Sequence, residues 1–268
     1  MTALTTATSR GVQGAPCWVS LTVPDLKAAQ DFYAAVLGWE YKPGFQGQGS
    51  YSVALAKATP VAGIGAASGL GRQAVWTAYF VADSADVVAS RIRERGATVA
   101  VGPLEFGNGR VAWAADPFDA VFGIWEGAVD PEWQVGRTAG APAWLELRTR
   151  DPFASAMFYG GVFDWDVEGP RKIDVRYEHD RVMLSVGGHT VAGIYGGGVE
   201  TAPDPHLRPQ WHVYFCVDDV EAAVDRADAA GGTVITRPRD TPFGPMASVR
   251  DPQGALFHLS SEEIEKAG

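Results

Sequence analysis

Two stretches of the chain repeat one another, APCWVSLTVPDLKAAQDFYAAVLGW at residues 15–39 and APAWLELRTRDPFASAMFYGGVFDW at residues 141–165. The tryptophans, the aspartates and the Phe-Tyr pairs of the two copies lie 126 positions apart, as Trp18 and Trp144 show. Each copy has the pattern of a half-buried strand, an Asp that caps a helix, and an amphipathic helix. A repeat at a fixed period indicates duplicated structural units.

A second pair of stretches repeats at a different offset. WTAYFVAD at residues 76–83 returns as WHVYFCVD at residues 211–218, and an Asp-Pro turn near residue 116 returns near residue 251. Several strand-like runs follow each predicted helix, so the chain contains four β-α-β-β-β units. We therefore predict an α+β fold of two domains, 14–126 and 141–262, each built from a pair of units and joined by a linker at 127–140.

The composition is that of an ordinary globular protein and excludes several functions. The chain has 268 residues, of which 46% are hydrophobic, and a net charge of −10 without a basic cluster. Nucleic acid and an anionic membrane are therefore poor candidates as partners. Residues 1–13 are polar and lack the apolar centre of a signal peptide, which predicts a disordered lead-in and a cytoplasmic protein.

The tryptophan-led strand, the capping Asp, the Phe-Tyr pair and the DPQGA turn at residues 251–255 resemble the vicinal oxygen chelate superfamily. This superfamily includes glyoxalases, bleomycin-resistance proteins and extradiol dioxygenases, and the similarity is greatest to the tandem-domain glyoxalase-like proteins of actinobacteria. The resemblance implies that each pair of units forms a curved sheet around a cavity. In the metal enzymes of the family, side chains from the first and last strands of each unit hold a divalent ion.

The residues at those ligand positions argue against the usual metal site. The first-strand positions fall on Trp18, Trp76, Trp144 and Trp211, and the last-strand positions fall on Gly63, Gly123, Gly193 and His258. An indole cannot ligate a cation, so we expect no resident metal or other cofactor. Glu146 and His258 could hold a weak or substrate-dependent ion, although such sites normally recruit three protein ligands.

The four tryptophans are predicted to line two cavities with aromatic surface, which suits a flat ligand; the alternative is plain core packing. Arg148 continues the face of Trp144 and Glu146. It could pair with Glu146, meet an anionic ligand, or be a solvated charge at the end of a strand. His212 follows Trp211 directly, so strand alternation predicts that it faces away from the cavity.

Glu146 and His258 are the candidate catalytic residues, and they place any chemistry in the second domain. A carboxylate facing the imidazole would raise the pKa of His258 and allow proton transfer without metal. The alternative is an interior histidine whose hydrogen bonds are satisfied. Gly123 occupies the duplicate position, so the fold itself does not require an imidazole there.

These residues predict a protein that binds a small hydrophobic or aromatic metabolite, such as a natural product. It would either sequester that ligand or convert it as a metal-independent enzyme of secondary metabolism, and the sequence leaves both open. One alternative is a metal-dependent, glyoxalase-like lyase acting on methylglyoxal adducts. Another is an oxygenase or hydroxylase. Tandem units can complete the cavities within one chain, so both a monomer and a homodimer remain compatible with the sequence.

Overall fold

The computed structural model describes residues 11–44, 51–66, 74–136, 138–165, 172–178, 181–196, 208–241 and 244–261. Most of the lead-in predicted for residues 1–13 lies outside these ranges. Among the described helices, none is long and apolar enough to cross a membrane.

The first domain contains eight strands and two helices. The strands are β1 Pro16–Val23, β2 Glu40–Pro43, β3 Tyr51–Ala56, β4 Thr59–Ala66, β5 Val75–Val81, β6 Thr98–Phe106, β7 Gly109–Ala115 and β8 Val121–Glu126. The helices are α1 Leu26–Leu37 and α2 Ala85–Glu94.

The second domain repeats this order. Its strands are β9 Pro142–Arg148, β10 Ile173–Glu178, β11 Arg181–Val186, β12 His189–Tyr195, β13 Gln210–Cys216, β14 Thr233–Thr241, β15 Gly244–Arg250 and β16 Leu256–Ser260. Its helices are α3 Pro152–Phe163 and α4 Val220–Ala229. The predicted α+β fold with four β-α-β-β-β units is confirmed.

Each domain forms one curved, open sheet of eight strands. The strand order is β2-β3-β4-β1-β5-β8-β7-β6 in the first domain and β10-β11-β12-β9-β13-β16-β15-β14 in the second. The two units of a domain meet where their first strands pair antiparallel, β1 with β5 and β9 with β13. Within each unit the first strand also pairs parallel with the last strand, as β1 does with β4. The first and last strands therefore lie side by side at the centre of each sheet.

The predicted helix caps are confirmed for three helices. Asp25, Asp151 and Asp219 each accept a hydrogen bond from the backbone N–H three residues later, which satisfies one of the free donors at a helix N-terminus. Gly38 ends α1 in the left-handed conformation that glycine adopts most readily.

A single hydrophobic core extends through both domains. Helices of the two domains pack against each other, α1 on α4 and α2 on α3. The segment between the domains is also packed: the side chain of Trp133 is buried and its indole N–H donates to the carbonyl of Val61 at 2.9 Å.

The Phe-Tyr pairs and the Asp-Pro turns of the repeats join the two domains through buried hydrogen bonds. Tyr33 of α1 donates to Asp251 at 3.1 Å and accepts from the indole of Trp76 at 3.0 Å. The other oxygen of Asp251 accepts from the backbone N–H groups of its own turn. The turn therefore holds a carboxylate in place for a tyrosine of the other domain.

The second copy of this arrangement has the same geometry. Tyr159 of α3 donates to Asp116 at 3.1 Å and accepts from the indole of Trp211 at 3.0 Å. Each tyrosine is fully buried, so both partners are needed to satisfy its hydroxyl. The repeated motifs thus encode the contact between domains as well as the fold of each one.

Candidate functional site

Strand alternation gives each sheet two faces. In β1, Val19 and Leu21 are buried in the shared core, which defines the core face. Trp18, Ser20 and Thr22 point to the opposite side, which we call the cavity face. In β9 the residues at the same positions on the cavity face are Trp144, Glu146 and Arg148.

Trp76 and Trp211 do not line a cavity, contrary to the sequence-based expectation. In the antiparallel register Trp76 lies opposite Leu21, and Trp211 lies opposite Leu147, so both indoles point to the core face. Their burial there, with their N–H groups bonded to Tyr33 and Tyr159, makes them core residues. The position on the cavity face that the sequence analysis assigned to them belongs to the residues one place further along β5 and β13.

A cavity of about 690 Å³ lies on the cavity face of the first domain. Its walls include the aromatic side chains of Trp18, Tyr51, Tyr79, Phe106, Trp113 and Trp125. Residues 128–131, from the segment between the domains, close part of the wall. The predicted cavity lining by Trp18 agrees with this position, whereas the other aromatic residues come from strands that the sequence analysis did not single out.

Hydrogen bonds order the aromatic rings inside this cavity. The indole of Trp18 donates to the hydroxyl of Tyr51 at 2.9 Å. The indole of Trp113 donates to the hydroxyl of Tyr79 at 2.8 Å, and Ser20 bonds to the same hydroxyl at 3.0 Å. The rings are therefore held in fixed positions before any ligand arrives.

On the cavity face of the second domain, Glu146 forms an ion pair with Arg148. The guanidinium of Arg148 also lies over the ring of Tyr195, 5.2 Å from its centre. The hydroxyl of Tyr214 donates to Glu146 at 3.3 Å. Of the three roles considered for Arg148, the structure shows the ion pair with Glu146.

His258 belongs to the same cluster but does not contact Glu146 directly. Tyr214 separates the two residues, because its ring stacks on His258 at a centroid distance of 4.4 Å while its hydroxyl bonds Glu146. The ring of His258 instead bonds His212 at 2.7 Å and Ser248 at 2.9 Å. The prediction that His212 faces away is wrong, because His212 lies opposite Glu146 in the β9–β13 register and shares its face.

The partners of the two histidines define which nitrogen carries the proton. The amide of Gln210 lies 3.4 Å from Nε2 of His212 and can only donate there. His212 then donates from Nδ1 to Nε2 of His258, and His258 donates from Nδ1 to Ser248. Both imidazoles are neutral in this chain of donors.

Burial controls the ionisation of this cluster. Burial lowers the pKa of His212 to about 3, and the guanidinium of Arg148 adds to the effect. Burial, His212 and Arg148 together lower the pKa of His258 well below its usual value. The expected rise in the pKa of His258 is therefore wrong. Burial also raises the pKa of Glu146, and the neighbouring guanidinium opposes that rise.

The divalent ion of the family does not fit the side chains at the centre of these sheets. At Gly63 an added Cβ would overlap the ring of Tyr51, and at Gly123 it would overlap the ring of Tyr79. At Gly193 it would overlap Tyr195 and Trp144. Aromatic rings thus occupy the space of the last-strand ligands. No group of three His, Cys, Asp or Glu side chains that could hold a metal occurs within the described ranges.

The fold and the cavity place this chain in a known class of small-molecule proteins. Residues 17–124 and 141–259 match the family model of the Glyoxalase/Bleomycin resistance protein/Dioxygenase superfamily. The chain belongs to this superfamily.

Two relatives match nearly the whole chain. The Mycobacterium tuberculosis protein CFP32, whose name describes a glyoxylase, is 33% identical over 256 residues, which are 92% of this chain and 94% of that protein. The anthracycline biosynthesis protein DnrV of Streptomyces peucetius is 34% identical over 267 residues, which are 94% of each chain.

Solved structures share the fold at lower identity. The Mn(II)-bound glyoxalase from Novosphingobium aromaticivorans has a TM-score of 0.59 at 20% identity, over 94% of this chain and 83% of that chain. The 2,3-dioxygenase LapB from Pseudomonas sp. KL28 has a TM-score of 0.59 at 14% identity, over 97% of both chains. At these identities the likeness concerns the fold alone.

Proposed function

We propose that the chain binds a planar aromatic small molecule in the cavity of the first domain. The observation that carries this proposal is the cavity itself, about 690 Å³ in volume and walled by six aromatic side chains. Cavities that bind small ligands typically have volumes of roughly 300–1,000 Å³ and are mostly apolar, with a few polar groups. The flat faces of tryptophan and tyrosine favour a flat partner.

One of the two relatives supports the same class of ligand. DnrV is named as an anthracycline biosynthesis protein, and anthracyclines are built on a planar, polycyclic aromatic ring system. A ligand of this shape would contact several of the cavity walls at once. The name of this relative supports a role for the proposed binding in natural-product metabolism. The proposal is favoured over the glyoxalase-like lyase because the central side chains do not fit the metal of such a lyase.

Isothermal titration calorimetry with an anthracycline tests the proposal. The wild-type chain should bind one molecule. The double substitution Ser20→Glu with Thr22→Arg introduces the residues of the second domain at the matching positions. It narrows the cavity, adds charged groups to its wall, and should abolish binding. A control with the same change of charge, Ser90→Glu with Thr98→Arg, alters two exposed positions and should bind like the wild type.

Absence of binding to the wild-type chain would overturn the proposal. Unchanged binding by the Ser20→Glu, Thr22→Arg variant would overturn it as well. Mass spectrometry of the same mixtures separates the two forms of the proposal. Unchanged ligand indicates sequestration, whereas a product of altered mass indicates an enzyme.

The role of Glu146 and His258 as an acid–base pair stays a prediction. Tyr214 hydrogen-bonds Glu146 but only stacks on His258, so no hydrogen bond among the described residues carries a proton between Glu146 and His258. If the second domain is catalytic, His258→Gln should abolish turnover there while ligand binding in the cavity of the first domain persists. Retention of turnover by this variant would show that the cluster is structural.

A further inference from the structure

The two tyrosines of the first-domain cavity lie over glycines at the centre of the sheet. The ring of Tyr51 covers Gly63, and the ring of Tyr79 covers Gly123. Between them stands Trp18, which bonds Tyr51 and lies directly opposite Tyr79 in the β1–β5 register. All three side chains line the same cavity.

The hydroxyl of Tyr51 has an unused hydrogen. It accepts a hydrogen bond from Trp18, because an indole N–H can only donate. A phenol hydroxyl carries one hydrogen of its own, and no acceptor for it occurs in the part of the chain that the structure describes. This hydrogen is available to a group inside the cavity.

Tyr79 and Ser20 have an unused hydrogen as well. Trp113 donates to Tyr79, which leaves Tyr79 and Ser20 with two hydroxyl hydrogens and one bond between them. Whichever of the two donates in that bond, the hydrogen of the other has no acceptor among the described residues. Both side chains line the cavity, so this second hydrogen is also presented there.

The equivalent tyrosine of the second domain differs. Tyr214 takes the place of Tyr79, since both lie opposite the first tryptophan of their domain. Its hydroxyl donates to the carboxylate of Glu146 and is therefore already used. The first domain has Ser20 where the second has Glu146. Of the two tyrosines, only Tyr79 therefore keeps a hydroxyl hydrogen, shared with Ser20, that no described residue accepts.

Burial keeps both cavity phenols protonated. It raises the pKa of Tyr51 and of Tyr79 above the ordinary value for tyrosine. The hydroxyls therefore remain donors throughout the neutral and mildly alkaline range. Both donors face the cavity, so a ligand that supplies an acceptor there gains affinity through a hydrogen bond.

We propose that Tyr51 and the Ser20–Tyr79 pair form two hydrogen-bond donors that bind carbonyl oxygens of a planar aromatic ketone or quinone. This inference rests on the proposed function and names the polar feature that its ligand carries. The hydroxyl of Tyr51 lies at the last-strand position of Gly63, and both donors bind the oxygens of the ligand by hydrogen bonds from the protein. The walls select a flat ring system, and the donors select those ring systems that carry carbonyls.

Two probes of the same shape and charge test the inference. Anthraquinone-2-sulfonate carries two carbonyls, whereas anthracene-2-sulfonate carries none. Calorimetry should show that the wild-type chain binds the quinone about tenfold more tightly. Tyr51→Phe and Tyr79→Phe each retain the ring and remove the hydroxyl, so each should weaken quinone binding about three- to tenfold and leave anthracene binding unchanged. Tyr177→Phe, at an exposed tyrosine of β10, should alter neither.

The outcomes separate this inference from the function on which it rests. Equal affinity of the wild-type chain for both probes would overturn the donor pair and leave the aromatic cavity intact. Binding of neither probe would overturn the proposed function, and the inference with it. If a Phe variant fails to fold, infrared spectra of the quinone on the wild-type chain decide: a carbonyl band shifted to lower frequency supports the donors, and an unshifted band contradicts them.

Discussion

The cavity faces of the two domains share their strands and differ in the size of their side chains. At four matching positions the first domain has Ser20, Thr22, Gly65 and Gly123, and the second domain has Glu146, Arg148, Tyr195 and His258. The first domain has a cavity beside its small residues, whereas the large residues of the second domain form a partly buried polar cluster. Duplication retained the core face, which must pack, and allowed the cavity face to diverge.

Among the substitutions that test this difference between domains, loss of Arg148 should lower the free energy of unfolding the most. Arg148→Met leaves the carboxylate of Glu146, whose side chain is 7% exposed, without its partner. Removing one member of a buried ion pair costs about 3–5 kcal/mol; because Arg148 is itself 40% exposed, we expect about 3 kcal/mol at pH 8. Urea denaturation measures this loss. Thr22→Met, the matching change in the first domain, should cost almost nothing because Thr22 is exposed.

The same variant should regain stability in acid. Burial raises the pKa of Glu146 in the folded state, and loss of the guanidinium removes the interaction that opposes this. A raised pKa means that stability is present at low pH and is lost as the pH rises through the folded-state value. The loss of unfolding free energy caused by Arg148→Met should thus be smaller at pH 5 than at pH 8. An equal or larger loss at pH 5 would show that the substitution does not leave Glu146 as an unpaired charge.

The two histidines should make the protein sensitive to acid. Their pKa values are lowered on folding, so the unfolded state binds protons first, below about pH 6.5, the ordinary value for histidine. Stability should therefore fall as the pH drops from 6.5 towards 3, by about 2 kcal/mol at pH 5.5 for the pair. Denaturation across this range should show a flatter profile for His212→Gln with His258→Gln. His189→Gln, at an exposed site on β12, should retain the wild-type profile.

Tyr33 and Tyr159 make the same contacts in the two copies, so their substitution should have equal effects, unlike substitutions on the cavity faces. Tyr33→Phe and Tyr159→Phe each leave a buried indole N–H and a carboxylate oxygen without a partner. Each substitution should cost about 1.5 kcal/mol in urea denaturation. A clear inequality between the two variants would mean that the two contacts between domains are not equivalent.

Divalent ions should have the smallest effect. A metal that binds the folded state and not the unfolded state raises the melting temperature. Aromatic rings fill three of the four last-strand ligand positions, and only His258 at the fourth has a side chain that can ligate a metal. Nickel, zinc and manganese should therefore leave the melting temperature unchanged. An increase that Glu146→Gln or His258→Gln removes would instead identify those residues as ligands.

The repeat was the strongest signal in the sequence. It predicted four units grouped into two domains and the aspartate caps of the helices, because these features depend on local patterns that recur at a fixed offset. The short edge strand β2 escaped prediction, since Glu-Tyr-Lys-Pro shows no alternation of apolar residues. Three residues that the sequence indicated as candidate site residues, Trp18, Glu146 and His258, lie on the cavity faces.

Errors in the candidate site came from strand register. Placing Trp76 and Trp211 on the cavity face put their strands one residue out of phase, and a shift of one residue exchanges the two faces of a strand. The same error turned His212 away from His258. The two strands each carry apolar or aromatic residues on both faces, so their alternation gave no guide to phase.

The sequence by itself determined the duplicated α+β architecture and the membership of the superfamily, because recurring strand and helix patterns are local properties of the chain. The location of the cavity was decided by the tertiary structure. Tyr51, Tyr79 and Trp113 come from three strands far apart in sequence, and they meet only when the sheet curves. The second domain has an equivalent sheet, yet its cavity face carries an ion pair and two histidines. Whether a cavity stays open depends on which side chains meet across strands, and sequence spacing does not record that.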